Sequence, residues 1–151
     1  MNLLVFGVGN DSTFWRCLNA GGRTVFLEDN EEWMRLVKKR DPGVDARLVT
    51  YKTQIEDWRA GLLDTEIPDL DLPSDVRAQK WDGVIVDAPA GWAPGQPGRM
   101  KSIREAARLG RTGGHVFVHD CDREVERAYC DRYLRRERLA REIGRLRHYV
   151  L

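Results

Sequence analysis

Long hydrophobic runs are missing from this 151-residue chain. None approaches the ~20 apolar residues that span a bilayer, and the apolar start from Met1 to Val8 runs into glycine rather than a cleavage site. Neither a membrane span nor a secretory leader is expected, and the expected compartment is the cytoplasm. Cysteine is scarce: Cys17, Cys121 and Cys130 form no CxxC pair, which argues against a disulfide framework or a thiolate zinc site and leaves buried free thiols as the expectation. Excess charge is missing too. With 25 Lys+Arg against 24 Asp+Glu the formal net charge is +1, so no overall field favours nucleic acid or an anionic membrane. Proline is thin at 6 residues and no internal repeat occurs, which excludes collagenous, low-complexity and solenoid chains. What remains, 42% hydrophobic and 32% charged, suits an ordinary globular fold, with residues 1–151 forming one domain around one core.

Short apolar runs alternate with helix-periodic ones. Leu3 to Phe6 reads as a strand that stops at Gly7-Val8-Gly9, after which Asp11-Ser12 caps a helix from about Thr13. Gly21-Gly22 turns the chain into a second strand, Thr24 to Leu27, which ends in Glu28-Asp29. Glu31 to Lys39 carries Trp33, Leu36 and Val37 at helical spacing, with Trp33 expected in the core, and Ala46 to Tyr51 reads as a third strand. Between Gln54 and Gln79 the one plausible helix is Ile55 to Leu63, followed by loop. Val84 to Val86 is a fully apolar strand ending in Asp87-Ala88-Pro89, and a Gly- and Pro-rich loop follows. Met100 to Leu109 reads as a helix, Gly113-Gly114 as a turn, and His115 to Val118 as a strand ending in His119-Asp120-Cys121-Asp122. Asp122 is expected to cap a helix that runs to about Ile143, where Gly144 stops it, before a last strand from Arg145 to Leu151. This alternation predicts an α/β fold: a doubly wound, mostly parallel, Rossmann-like sheet of about six strands, covered on both faces.

Ligands of such sheets bind outside the carboxyl ends of the strands, and here those ends carry the polar residues. Gly7 and Gly9 permit a tight turn and close approach of a ligand, and Glu28 stands about 20 residues on, where a ribose-binding carboxylate belongs. A pyrophosphate wants helix amides and no nearby anion, yet Asp11 sits in this turn, Asp87 ends another strand, and Ser12 replaces the third glycine of the dinucleotide fingerprint. A cation bearing adenosine suits these groups better. S-adenosylmethionine is such a molecule, with Gly7, Gly9, Asp11, Ser12, Glu28, Asp29, Thr53 and Asp87 as candidate binding residues. Two alternatives stand beside this reading. One is an oxidoreductase using a nicotinamide dinucleotide; the other is a non-catalytic RNA- or polyanion-binding module on a basic helix within Arg132 to Arg147, which lacks interleaved aromatics.

The segment WDGVIVDAPAGWAPGQPGRM, Trp81 to Met100, is flanked by LLVFGVGNDSTFW, LNAGGRTVFLEDNEEW, VTYKT, HVFVHDCDREVERAYCDRYL and GRLRHYV. Over nearly the whole chain these motifs resemble the glucuronoxylan 4-O-methyltransferase family, plant polysaccharide-biosynthesis methyltransferases of secondary walls. The shared pattern is VFG-x-G-x-DS, then GG-x-T-x-FLE, then WD-x-x-x-x-DAP-x-G leading to PGRM, then HD-x-DR-x-VE. The resemblance implies an S-adenosylmethionine-dependent O-methyltransferase acting on a sugar hydroxyl, such as the 4-O of a glucuronic acid group. The sequence departs from the pattern at Asn10, where His is usual, and at Ala90, where Arg is usual; it reads as a short form without the membrane anchor of the plant proteins.

Methyl transfer to a hydroxyl requires close in-line positioning and a group that accepts the proton. Asp87, His119 and Asp120 are the candidates, with the two aspartates ranked first. Asp87, Asp120 and Asp122 also offer oxygens to a divalent ion such as Mg²⁺, a reading placed second to metal-free chemistry. Arg99 offers a planar fork for a uronic-acid carboxylate and Trp92 a surface on which a sugar stacks.

Overall fold

The computed structural model describes residues 1–63 and 68–151. These residues form a seven-stranded sheet, one strand more than expected: β1 (Asn2–Phe6), β2 (Arg23–Glu28), β3 (Ala46–Leu48), β4 (Trp81–Val86), β5 (Gly110–Val118), β6 (Leu139–Ile143) and β7 (Leu146–Val150). Their order is β3-β2-β1-β4-β5-β7-β6. The first five are parallel, whereas β7 runs antiparallel to both β5 and β6. The helices are α1 (Ser12–Leu18), α2 (Glu31–Arg40), α3 (Trp58–Leu63, led by a 3₁₀ turn at Ile55–Asp57), α4 (Ser74–Arg77), α5 (Met100–Leu109) and α6 (Glu124–Tyr133).

Period-two alternation along the central strands sends side chains to two separate cores. Leu4 and Phe6 of β1 join Val84, Val86 and Ile103 in the core beneath α5 and α6. Leu3 and Val5 point the other way, to Phe26, Val37 and Val44, with Trp15 and Trp33 packed against them. Both faces are thus covered, as a buried parallel sheet requires. Strand order reverses between β1 and β4, and the crevice at such a reversal is where open α/β sheets bind ligands. The Asp87 N–H donates to the Phe6 carbonyl at 3.0 Å, which sets the ends of those two strands side by side.

Several sequence expectations are corrected. The helix expected to reach Ile143 ends at Tyr133, because buried Leu134 anchors the chain and Arg135 takes a left-handed φ of 67° that a helix cannot continue. Gly144 (φ 57°) is therefore the turn of a β6–β7 hairpin rather than a helix stop. The arginines between 132 and 147 consequently share no helical face, and Arg147 is buried against Glu142 (2.7 Å) and Asp131 (3.2 Å). That removes the basis of the polyanion-binding module. Asp122 caps nothing: α6 starts at Glu124 and the Asp122 carboxylate accepts from Arg145 Nε at 3.1 Å. Gly113 (φ 72°) lies within one long strand, where the register against β4 shifts between Trp81 and Gly83. The third strand ends at Leu48, short of Tyr51. Cys121 and Cys130 are buried as expected, but Cys17 is exposed. The helix expected from Ile55 to Leu63 is present, while the loop after it lies partly at 64–67, outside the described residues. No helix among the described residues is long and apolar enough to cross a membrane.

Candidate active site

The glycine corner follows β1. Gly7 holds φ 115°, and a Cβ there would lie 3.0 Å from the Cβ of Ala88, so the position needs glycine both for its backbone and for the close approach of the loop after β4. Gly7→Ala is expected to cost about 1–3 kcal/mol, read as a shift in the urea midpoint. Each amide of the corner has a partner inside the protein. Gly7 N–H donates to the Leu27 carbonyl (2.7 Å), Val8 N–H to Glu28 Oε2 (2.9 Å) and Gly9 N–H to Ser12 Oγ (2.9 Å). Trp33, expected simply as core, braces the corner by donating its Nε1–H to the Val8 carbonyl at 2.6 Å. Asp11 is exposed and accepts from Trp15 Nε1 at 2.8 Å rather than capping α1.

Glu28 is 6% exposed at the end of β2. Its second oxygen accepts from Asn30 N–H at 2.9 Å, so each carboxylate oxygen takes a backbone donor. Burial, helped by the neighbouring Asp29 charge, raises the Glu28 carboxyl above its ordinary range, opposed only in part by the N–H groups of Val8, Asn30 and Asp29. Asp29, next along, is exposed.

Asp87, His119 and Asp120, from the ends of β4 and β5, offer one ligand atom each within 4.8 Å of one another. His119 Nδ1 lies 3.2 Å from Asp87 Oδ1 and 3.1 Å from Asp120 Oδ1. Asp87 is exposed, and His119 is partly so. Asp120 is buried, holds φ 59°, and is ringed by guanidinium groups: Arg99 at 2.8 Å, Arg123 at 2.8 Å and Arg145 at 2.6 Å. The sequence signal for this ring was half visible, since Arg123 stands in the HD-x-DR motif, whereas Arg145 arrives only through the hairpin turn.

Arg99 turns inward, away from the substrate role expected of it. It is 4% exposed, and its fork donates to the carbonyls of His119 (2.9 Å), Asp87 (2.7 Å) and Pro89 (3.4 Å) besides pairing with Asp87 and Asp120. Trp92 is 70% exposed on the loop after β4, with its backbone N–H on Gln96 Oε1 at 2.8 Å. Thr53 donates to the Pro97 carbonyl at 2.9 Å and lines a cleft of about 840 Å³ between the end of β3, α3 and the start of α5. Gly7, Gly9, Glu28 and the trio lie outside that lining.

The chain is 37% identical over 173 residues to glucuronoxylan 4-O-methyltransferase 1 of Arabidopsis thaliana, covering 99% of this chain and 61% of the relative. It is 37% identical to arabinogalactan O-methyltransferase 2 of the same plant (99% and 60% covered) and 38% identical to its protein IRREGULAR XYLEM 15 (99% and 54%). The chain therefore spans little more than half the length of these curated relatives. Among solved structures, a putative methyltransferase from Thermoplasma acidophilum aligns with TM-score 0.56 at 16% identity, over 99% of this chain and 67% of that one. A 16S rRNA N2 G1207 methyltransferase of T. thermophilus aligns with TM-score 0.54 at 20% identity, over 98% and 34%. At such identities the likeness establishes a shared fold, the Rossmann-like methyltransferase fold. The model of the IRX15/IRX15L/GXM family matches residues 1–67 and 64–149, and the chain belongs to that family.

Proposed function

We propose that the protein is an S-adenosylmethionine-dependent O-methyltransferase whose acceptor is a sugar hydroxyl, the 4-O of a glucuronic acid group in particular. The observation that carries the reading is the glycine corner. Its three amides, those of Gly7, Val8 and Gly9, are engaged by Leu27, Glu28 and Ser12, so the glycine turn itself offers none of them to the pyrophosphate of a nicotinamide dinucleotide. The carboxylates of Glu28, Asp11 and Asp87 instead suit a ribose diol and a cationic centre. Family membership supports the class, and relatives named for two different polysaccharides support a sugar acceptor.

S-adenosylmethionine, when bound, supplies an electrophilic methyl group. Glu28 would hold its ribose hydroxyls on the carboxylate oxygens that also accept from Val8 and Asn30. The remaining task is to take the acceptor's proton, and the trio reorders the candidates. Asp120 is a poor base, since arginines occupy its oxygens. His119 fits better: its Nδ1 lies 3.1–3.2 Å from both carboxylates, which would steady an imidazolium there, and Nε2 is the ring nitrogen left to take the proton.

The same spacing supports a second reading. Asp87, His119 and Asp120, each with a ligand atom within 4.8 Å of the others, would hold a divalent cation that displaces the arginines from Asp120 and serves as a Lewis acid for the acceptor hydroxyl. Labelled methyl transfer to uronic-acid oligosaccharides and small phenols, with and without chelator, decides between them. The expected result is transfer to the sugar that survives chelation. His119→Ala should lower kcat about 10²–10⁴-fold while S-adenosylhomocysteine binds as before. Loss of activity on chelation, restored by Mg²⁺ or Mn²⁺, would move the trio to the metal reading. Transfer to phenols alone, or binding of NADH alone, would overturn the proposal.

A further inference from the structure

The 840 Å³ cleft holds none of the strand-end carboxylates, yet its walls are built for a polar guest. Tyr51 and Trp58 supply flat apolar surface, and Thr53 and Asp57 supply groups that bind hydroxyls. Lys101 is the unusual member. It lines this cleft while only 6% exposed, and among the described residues neither a hydrogen bond nor an ion pair engages its ammonium. The other buried cations, Arg99 and Arg147, are both ion-paired. The nearby anions are committed elsewhere: Asp69 to Arg104 and Arg108, Glu105 to Arg108. Burial lowers the Lys101 pKa and the charges of Arg104 and Lys52 lower it further, against the opposing pull of Glu105 and Asp69. A second observation points the same way. The first turn of α5, which carries Met100 and Lys101 into the cleft wall, has no acidic residue and no capping side chain, so the positive end of its dipole adds to the lysine.

We propose that this cleft seats the acceptor and that Lys101 is the residue that selects an acceptor carrying a carboxylate, a uronic acid ring over a neutral sugar. The proposal rests on the sugar O-methyltransferase reading and assigns to Lys101 the discrimination that Arg99, facing inward, does not perform. The position is suitable, because Gly98 and Met100, the chain neighbours of Arg99, both line the cleft. The backbone that bounds the cleft is thus continuous with the residue whose guanidinium holds Asp87 and Asp120.

Calorimetric titration with a glucuronic-acid-bearing oligosaccharide and with its carboxyl-reduced counterpart tests this without any methyl donor. The wild type is expected to bind the acid at least about tenfold more tightly. Lys101→Met, which keeps the aliphatic stem, should weaken binding of the acid about 10- to 100-fold and leave the reduced sugar unaffected. Lys101→Arg should retain the preference. Unchanged S-adenosylhomocysteine affinity shows that each variant is folded. Absence of a preference in the wild type, its survival in Lys101→Met, or a matching loss of S-adenosylhomocysteine affinity would overturn the assignment. Should the preference behave as expected while no methyl reaches the acid, the methyltransferase reading fails and the cleft assignment stands; methyl transfer with a preference indifferent to Lys101 gives the reverse.

Discussion

Glu28→Gln is expected to weaken S-adenosylhomocysteine binding by about 100-fold, the scale of losing charge-assisted hydrogen bonds to two ribose hydroxyls. The amide cannot replace the carboxylate, because both oxygens already accept from backbone N–H groups, Val8 on one side and Asn30 on the other. Whichever way the amide is turned, its NH₂ confronts one of those donors. A buried N–H left without an acceptor costs roughly 1–3 kcal/mol, so the variant should also unfold at lower urea. The two effects separate by experiment: calorimetric titration well below the transition reads affinity, and the urea midpoint reads stability. Affinity equal to wild type would show that the cofactor does not use this strand end.

The second large effect is expected at Arg99. Arg99→Met removes one guanidinium that joins three backbone carbonyls and two carboxylates across the ends of β4 and β5. Breaking a buried pair of this kind costs about 3–5 kcal/mol, which for a domain of this size lowers Tm by roughly 10 °C. Arg99→Lys should recover little, because an ammonium cannot span a planar fork of acceptors. Methyl transfer should fall with it, since Asp87 and Asp120 lose a shared anchor. If Arg99→Met instead kept full stability and lost only affinity for acidic sugars, the inward brace would be wrong and the substrate clamp expected from the sequence would be right.

Legibility in the sequence followed periodicity. Met100 to Leu109 was readable as a helix because its apolar positions recur at helical spacing, and the central strands were readable because a buried parallel strand is apolar throughout. The carboxyl ends of β2, β4 and β5 point to the candidate site for the same reason: an apolar run that stops abruptly at charge marks the edge of the core. What could not be read was long-range. Leu139 to Ile143 places Leu139 and Ile143 at helical i, i+4 spacing and so reads as the end of a helix, and it becomes a strand because β7 pairs with it. Arg99 and Lys101 stand two residues apart in one basic stretch, and only the fold assigns the first to the interior carbonyls and the second to the cleft. Trp33 likewise reads as an ordinary core aromatic until its indole N–H is found on Val8.

The β6–β7 hairpin has an effect beyond sheet architecture. Its turn delivers Arg145 to Asp120 at 2.6 Å, so the outer rim of the sheet supplies part of the counter-charge at the candidate catalytic cluster. A disturbance of that rim would reach Asp120 directly, through the Arg145 guanidinium and through the Arg145 carbonyl that accepts from Cys121 N–H at 2.8 Å.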